Sequence, residues 1–139
     1  MINPDDITIK ESKKSEHLKC AFRLIKKSYW GKLIKKQKFD IQNQNTKSFF
    51  IFYKNDILGF FRLLTDGVFV VYIMDFIIDE QYRQSGIGSK TLQHIETLFP
   101  ESKILLSSNK SETFYLKNNF KKIQKEDNFY VKRFKKNKI

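Results

Sequence analysis

At 139 residues the chain has the length of one domain and can bury a hydrophobic core without metals or disulfides. Its one cysteine, Cys20, excludes an internal disulfide, and its longest apolar stretch, residues 68–78, contains Asp75 and is far shorter than the roughly 18 residues of a membrane span. The formal net charge of +12 is uneven: residues 1–48 carry 12 basic and 5 acidic groups, residues 49–106 carry 5 and 7, and residues 107–139 carry 10 and 3. Such a field attracts nucleic acid, anionic membrane or a polyanionic cofactor, and a lysine-rich solvated surface is the plainer account of it. The start M-I-N-P-D-D-I-T-I-K lacks the basic region and apolar run of a signal peptide, so a cytoplasmic location is expected.

Residues 7–10 alternate apolar and polar and predict a short first strand. Leu18, Ala21, Phe22, Ile25 and Tyr29 then recur at helical spacing, with Ser15 as the expected cap, until Ser28-Tyr29-Trp30-Gly31 breaks the pattern. A second helix is expected over about residues 33–43, on a thin face of Leu33, Ile34, Gln37 and Ile41. Residues 48–53 and 57–64 are apolar runs around Lys54-Asn55-Asp56, a hairpin signal. After the turn Thr65-Asp66-Gly67, residues 68–78 are apolar on both faces, which predicts a central, doubly covered strand in which Asp75 is out of place.

Next comes Tyr82-Arg83-Gln84-Ser85-Gly86-Ile87-Gly88, a loop with glycines at the start of a helix. That helix carries Leu92, Ile95, Glu96 and Phe99 at helical spacing and is stopped by Pro100. A helix start leaves backbone N–H groups without partners, and glycine lets a ligand approach them, so the stretch builds an anion site. Residues 103–106 predict another strand. Asn109 and Glu112 resemble a capping-box pair opening a brief helix that ends near Asn118-Asn119, where asparagine tolerates a left-handed residue. Residues 120–123 and 129–134 are expected to close the fold as a hairpin, with 135–139 a frayed tail.

The strand, loop and helix around R-x-x-G-x-G resemble the acyl-CoA pyrophosphate loop of the GNAT N-acetyltransferase superfamily. One bacterial-type group within it is similar elsewhere too: Ser28-Tyr29-Trp30, then Gly59-Phe60-Phe61-Arg62-Leu63-Leu64-Thr65-Asp66, then Asp75, then Phe114-Tyr115 with Phe120. Asn119 stands where the family has glycine, and Ser108 where relatives often carry Asn or Thr. The resemblance spans roughly residues 18 to 124. It implies a single-domain α+β fold over residues 1–139, with its core at about 7–134. The architecture implied is a three-layer α/β/α sandwich with a mixed, mostly antiparallel central sheet.

The same resemblance implies roles. Backbone N–H groups of Gln84, Ser85, Gly86, Ile87 and Gly88 would hold the CoA pyrophosphate, with Arg83, Ser89 and Lys90 nearby and Ser108 on the cofactor side. Backbone groups of Phe76, Ile77 and Ile78 would pair with the pantetheine arm and polarise the thioester carbonyl. An amine of pKa about 10.4 is neutral in only about one molecule in 2,500 at pH 7, so a base is needed, and the leaving thiolate profits from an acid. Tyr115 matches the family's acid. Asp75 is the candidate base, and pairing with Arg62 is its structural alternative. Tyr29, Trp30 and Asp66 would line the acceptor pocket. No ligand-spaced cluster supports a metal site.

The implied function is acetyl-CoA-dependent N-acetyl transfer to a primary amine of a small molecule or peptide, by direct attack in a ternary complex. A non-catalytic acyl-CoA sensor is the alternative. A nucleic-acid-binding domain has no recognised motif behind it, and no membrane partner is expected. The sequence names neither the acceptor nor the oligomeric state, a homodimer included.

Overall fold

The structure, a computed structural model, describes residues 2–28, 35–108 and 110–133. In chain order the elements are β1 (Thr8–Glu11), α1 (Ser15–Lys27), α2 (Lys36–Asn45), β2 (Lys47–Tyr53), β3 (Asp56–Thr65), β4 (Val70–Ile78), α3 (Ile87–Leu98), β5 (Lys103–Leu106) and α4 (Glu112–Lys117), with 3-10 turns at Pro4–Asp6, Glu80–Tyr82 and Lys125–Asp127. The strands form one sheet in sequence order, antiparallel from β1 to β4, with β4 and β5 parallel. The fold is therefore α+β, a three-layer α/β/α sandwich on a mixed, mostly antiparallel sheet, as the sequence implies. It divides into two compact units, Met1–Ser107, which holds the whole sheet, and Ser108–Ile139, which holds α4.

The core of the first unit is phenylalanine-rich because β2 and β3 place aromatics on both sheet faces. On one face Phe50 and Phe60, both fully buried, join Ala21, Leu24 and Ile25 of α1 and Phe39 of α2. Burying each such side chain contributes about 1.5–3 kcal/mol. On the other face Phe49, Phe61 and Phe76 stack across three strands at 4.9 and 6.2 Å between ring centroids. The β4–α3–β5 crossover joins neighbouring parallel strands, and α3 buries Ile87, Leu92 and Ile95. Gly59 of β3 lies against β4 so closely that a Cβ would collide with the Ile77 carbonyl oxygen and come within 3.0 Å of Ile78 Cα.

Three details differ from the sequence reading. Ser15 is the first helical residue of α1 rather than its cap, while Ser12 Oγ accepts from the Lys14 amide at 3.1 Å and bonds His17 Nδ1 at 2.6 Å. The buried face of α2 is Phe39 and Asn43; Ile41 points outward, and Leu33 and Ile34 lie outside the described residues. No strand forms among residues 120–133, where Ile123 is the single apolar residue between Phe120 and Phe129, too little to pin a register. The left-handed residue at the end of α4 is Asn119, φ 72°, as its chemistry allows.

Candidate active site

Between β4 and α3 the chain makes a 3-10 turn, with Arg83 as its cap and Arg83 Nε donating to the Ile78 carbonyl at 2.9 Å. Gln84 then takes φ 61° and Gly86 φ 87°, two left-handed residues within three positions. Gly86 caps α3, and its carbonyl accepts from the Lys90 amide at 3.1 Å. The backbone N–H groups of Gln84, Ser85, Gly86, Ile87, Gly88 and Ser89 find no acceptor among the described residues. Six open amides at a helix start, with left-handed residues at Gln84 and Gly86, are donors of the kind that phosphate oxygens accept from. Ser85 Oγ turns inward to the Tyr82 carbonyl at 2.6 Å. Lys90 forms an ion pair with Asp5 at 3.0 Å, which brings the N-terminal turn against this loop, where Pro4 Cγ would lie 3.1 Å from a Cβ on Gly86.

Strand β4 ends beside the loop. Its pairing with β5 stops at Ile73 opposite Leu106, whereas its pairing with β3 continues to Ile78 opposite Gly59. Phe76, Ile77 and Ile78 thus sit where β4 and β5 have parted. At the same place the register with β3 slips: Arg62 faces Asp75, but Leu63 faces Ile73, leaving Met74 as an extra residue. The bulge reverses the alternation. Val71 and Ile73 point to the face of Leu63, while Asp75 and Ile77 point to the opposite face with Arg62 and Phe60.

Asp75 meets Arg62 there. Arg62 Nε donates to Asp75 Oδ2 at 2.7 Å, Nη2 donates to the same oxygen, and Nη1 approaches Asn43 Oδ1 at 3.5 Å. The guanidinium is fully buried beneath the Phe39 ring, 5.1 Å from its centroid, while the Asp75 side chain retains 12% exposure. The structural alternative for Asp75 is therefore present, and the carboxylate still reaches solvent. Lys13 lies nearby, donating to the carbonyls of Asn43 and, at 2.6 Å, Thr46; burial pulls its pKa below the ordinary lysine value, with Arg62 adding to the effect.

Asp66 holds the β3–β4 turn. Its Oδ1 accepts from the amides of Val68, Phe69 and Val70 at 3.0, 2.9 and 3.1 Å, and these bonds hold its carboxyl below the usual carboxylate range. In the second unit, Ser108 Oγ accepts from the Ser111 amide at 3.2 Å, and the Tyr115 ring meets Phe114 and Phe120 edge-on at 5.1 and 5.6 Å. Tyr29 and Trp30 lie outside the described residues. Among the described residues, no group of three or more His, Cys, Asp or Glu side chains is placed to hold a metal, and no helix is long and apolar enough to cross a membrane.

Sequence reasoning missed two participants. Asn43 and the Pro4–Asp6 turn approach the site only through folding, and nothing in their local pattern marks them.

Residues 14–120, 107 of the 139, match the acetyltransferase (GNAT) family model, and the chain belongs to that family. No curated protein sequence matches it. Among solved structures, it is similar to a GNAT family acetyltransferase from Streptococcus pneumoniae at 21% identity and TM-score 0.71, covering 92% of this chain and 96% of that one. An aminoglycoside acetyltransferase from an uncultured soil metagenomic sample, in complex with trehalose, aligns at 17% identity and TM-score 0.67 over 94% and 98% of the two chains. A GNAT family acetyltransferase from Elizabethkingia anophelis with acetyl-CoA bound aligns at 19% identity and TM-score 0.63 over 81% and 72%. At these identities the likeness establishes the shared fold.

Proposed function

We propose that the protein is an acetyl-CoA-dependent N-acetyltransferase acting on a primary amine by direct transfer in a ternary complex. The observation that carries the donor half is the row of six amides from Gln84 to Ser89 with no acceptor among the described residues, on a strand–loop–helix unit of an acetyltransferase family. These amides hold the pyrophosphate, with Arg83, Ser89 and Lys90 adding donors and positive charge. Backbone groups of Phe76, Ile77 and Ile78 receive the pantetheine arm where β4 and β5 part, and one of their amides polarises the thioester carbonyl. When bound, acetyl-CoA supplies an activated acetyl group.

Asp75 takes the acceptor's ammonium proton, directly or through one water, and Tyr115 gives its hydroxyl proton to the departing sulfur. Ser108 belongs to the cofactor side, and Tyr29, Trp30 and Asp66 to the acceptor side. A family neighbour that acetylates aminoglycosides makes polyamino sugars one class to test. The Arg62 contact on Asp75 favours the second reading, a CoA-binding module without catalysis. The deciding experiment is release of CoA thiol from acetyl-CoA across polyamines, amino acids, aminoglycosides, arylamines and peptides. Turnover with one class is expected; tight acetyl-CoA binding without thiol release from any class supports the sensor instead.

A further inference from the structure

We propose that Arg62 is a positioning residue, which binds Asp75 through one oxygen so that the other is presented as the proton acceptor; this rests on the assignment of Asp75 as base. Three observations carry it. Both guanidinium contacts, from Nε and Nη2, fall on Asp75 Oδ2, and no donor among the described residues reaches Oδ1. Arg62 is wholly buried whereas Asp75 is not, so the pair has a fixed inner member and an accessible outer one. The Met74 bulge is what turns Asp75 to the side of the sheet where Arg62 waits, since regular alternation would place it with Val71 and Ile73.

Stability alone accounts poorly for this arrangement. A buried ion pair is often replaceable by apolar side chains at no loss, because removing both charges from water offsets their attraction. Here the surroundings add to the cost. Ser48, opposite Arg62 in the register with β2, has a buried Oγ with no hydrogen-bond partner among the described residues, and so do Asn43 Nδ2 and Gln42 Oε1. Arginine offers five N–H donors in a rigid fork, and the three nitrogens' recorded contacts leave part of that capacity unmet. A guanidinium kept under such conditions fixes direction. Held by two donors on one oxygen, the carboxylate cannot rotate to offer Oδ2 to the acceptor, and the geometry of proton transfer is set before substrate arrives. Among the described residues, Arg62 faces Asp75 from β3, and Lys13, in the connection before α1 and itself acted on by Glu11, acts on Arg62.

The test compares Arg62→Lys, Asp75→Asn and the double variant, using a responsive amine from the thiol-release panel. Arg62→Lys keeps a cation and a single donor nitrogen but loses the planar fork. It should lower kcat by about tenfold or more, with the acceptor KM and acetyl-CoA affinity within twofold, while Asp75→Asn lowers kcat by about a hundredfold. In the Asp75→Asn background Arg62→Lys should cost nothing further. In the wild-type protein, the Arg62 Nε–H resonance should shift with the same midpoint as the acid limb of kcat/KM, a readout that needs no variant to fold. Arg62→Lys with wild-type kcat, an equal loss in both backgrounds, or an Arg62 resonance indifferent to that limb overturns the proposal. Full activity in Asp75→Asn defeats the base assignment itself, so the two failures are separable.

Discussion

Two stretches of this molecule gather backbone amides, and they treat them in opposite ways. At the β3–β4 turn the chain supplies its own anion: Asp66 Oδ1 accepts from Val68, Phe69 and Val70. At the β4–α3 loop six successive amides from Gln84 to Ser89 have no acceptor among the described residues. In the first the sequence places a carboxylate inside the turn. In the second the amides stay open at a helix start, where the phosphate of a ligand can supply the complementary charge. The contrast sets a self-satisfied turn beside the proposed binding loop without reference to either one's glycine content.

The strongest way to break the contrast is at Gly86. A valine there must adopt φ near 87° and bring its Cβ to 3.1 Å from Pro4 Cγ, so the twist that aligns the amides is lost. Strain of about 1–3 kcal/mol predicts a loss of acetyl-CoA affinity of about 5- to 150-fold by calorimetry, with an unchanged far-UV circular dichroism spectrum.

The Asp66 turn gives the converse test. Its folded pKa is depressed by the three amides, so its contribution to stability is full above the unfolded value near 3.9 and disappears as pH falls through the folded value. Asp66→Ala should therefore lower Tm at pH 6 by a few degrees. The gap between variant and wild type should narrow as the pH falls below the unfolded value and through the depressed folded one. Acetyl-CoA affinity should be unaffected, since this turn's anion is internal. The smallest effect is expected at Asp5, whose carboxylate competes for Lys90. Asp5→Asn should tighten acetyl-CoA binding by about twofold, the scale of an exposed ion pair, and the gain should vanish in high salt.

The β4–α3 loop was legible in the sequence because it depends on local pattern. A buried apolar strand, a glycine pair and an amphipathic helix in succession determine the loop without knowledge of distant partners, and β5 was bounded correctly for the same reason. The reaction side was less legible. Asp75 was visible as an anomaly in an apolar strand, but which face it occupies depends on a bulge that alternation cannot reveal. Asn43 joins the site from a helix whose weak periodicity pointed to Ile41 instead. The expected closing hairpin failed because residues 120–133 carry charges where a strand pair would need a continuous apolar face, leaving Tyr130 and Val131 exposed. Asp66, expected beside the acceptor from resemblance, also holds its own turn through Oδ1, a bond set the sequence pattern does not announce.

Met74 has a consequence for how this stretch tolerates change. The chain between Tyr72 and Phe76 must keep its length more strictly than its chemistry. Met74 itself has no facing residue on β3, so no cross-strand pair there depends on its side chain, whereas its presence sets the register. Deleting one residue there would trade inside for outside: either Asp75 would enter the packed phenylalanine face, or everything before it would turn over. For anyone aligning or redesigning this chain, a gap of one at this point weighs more than several substitutions around it.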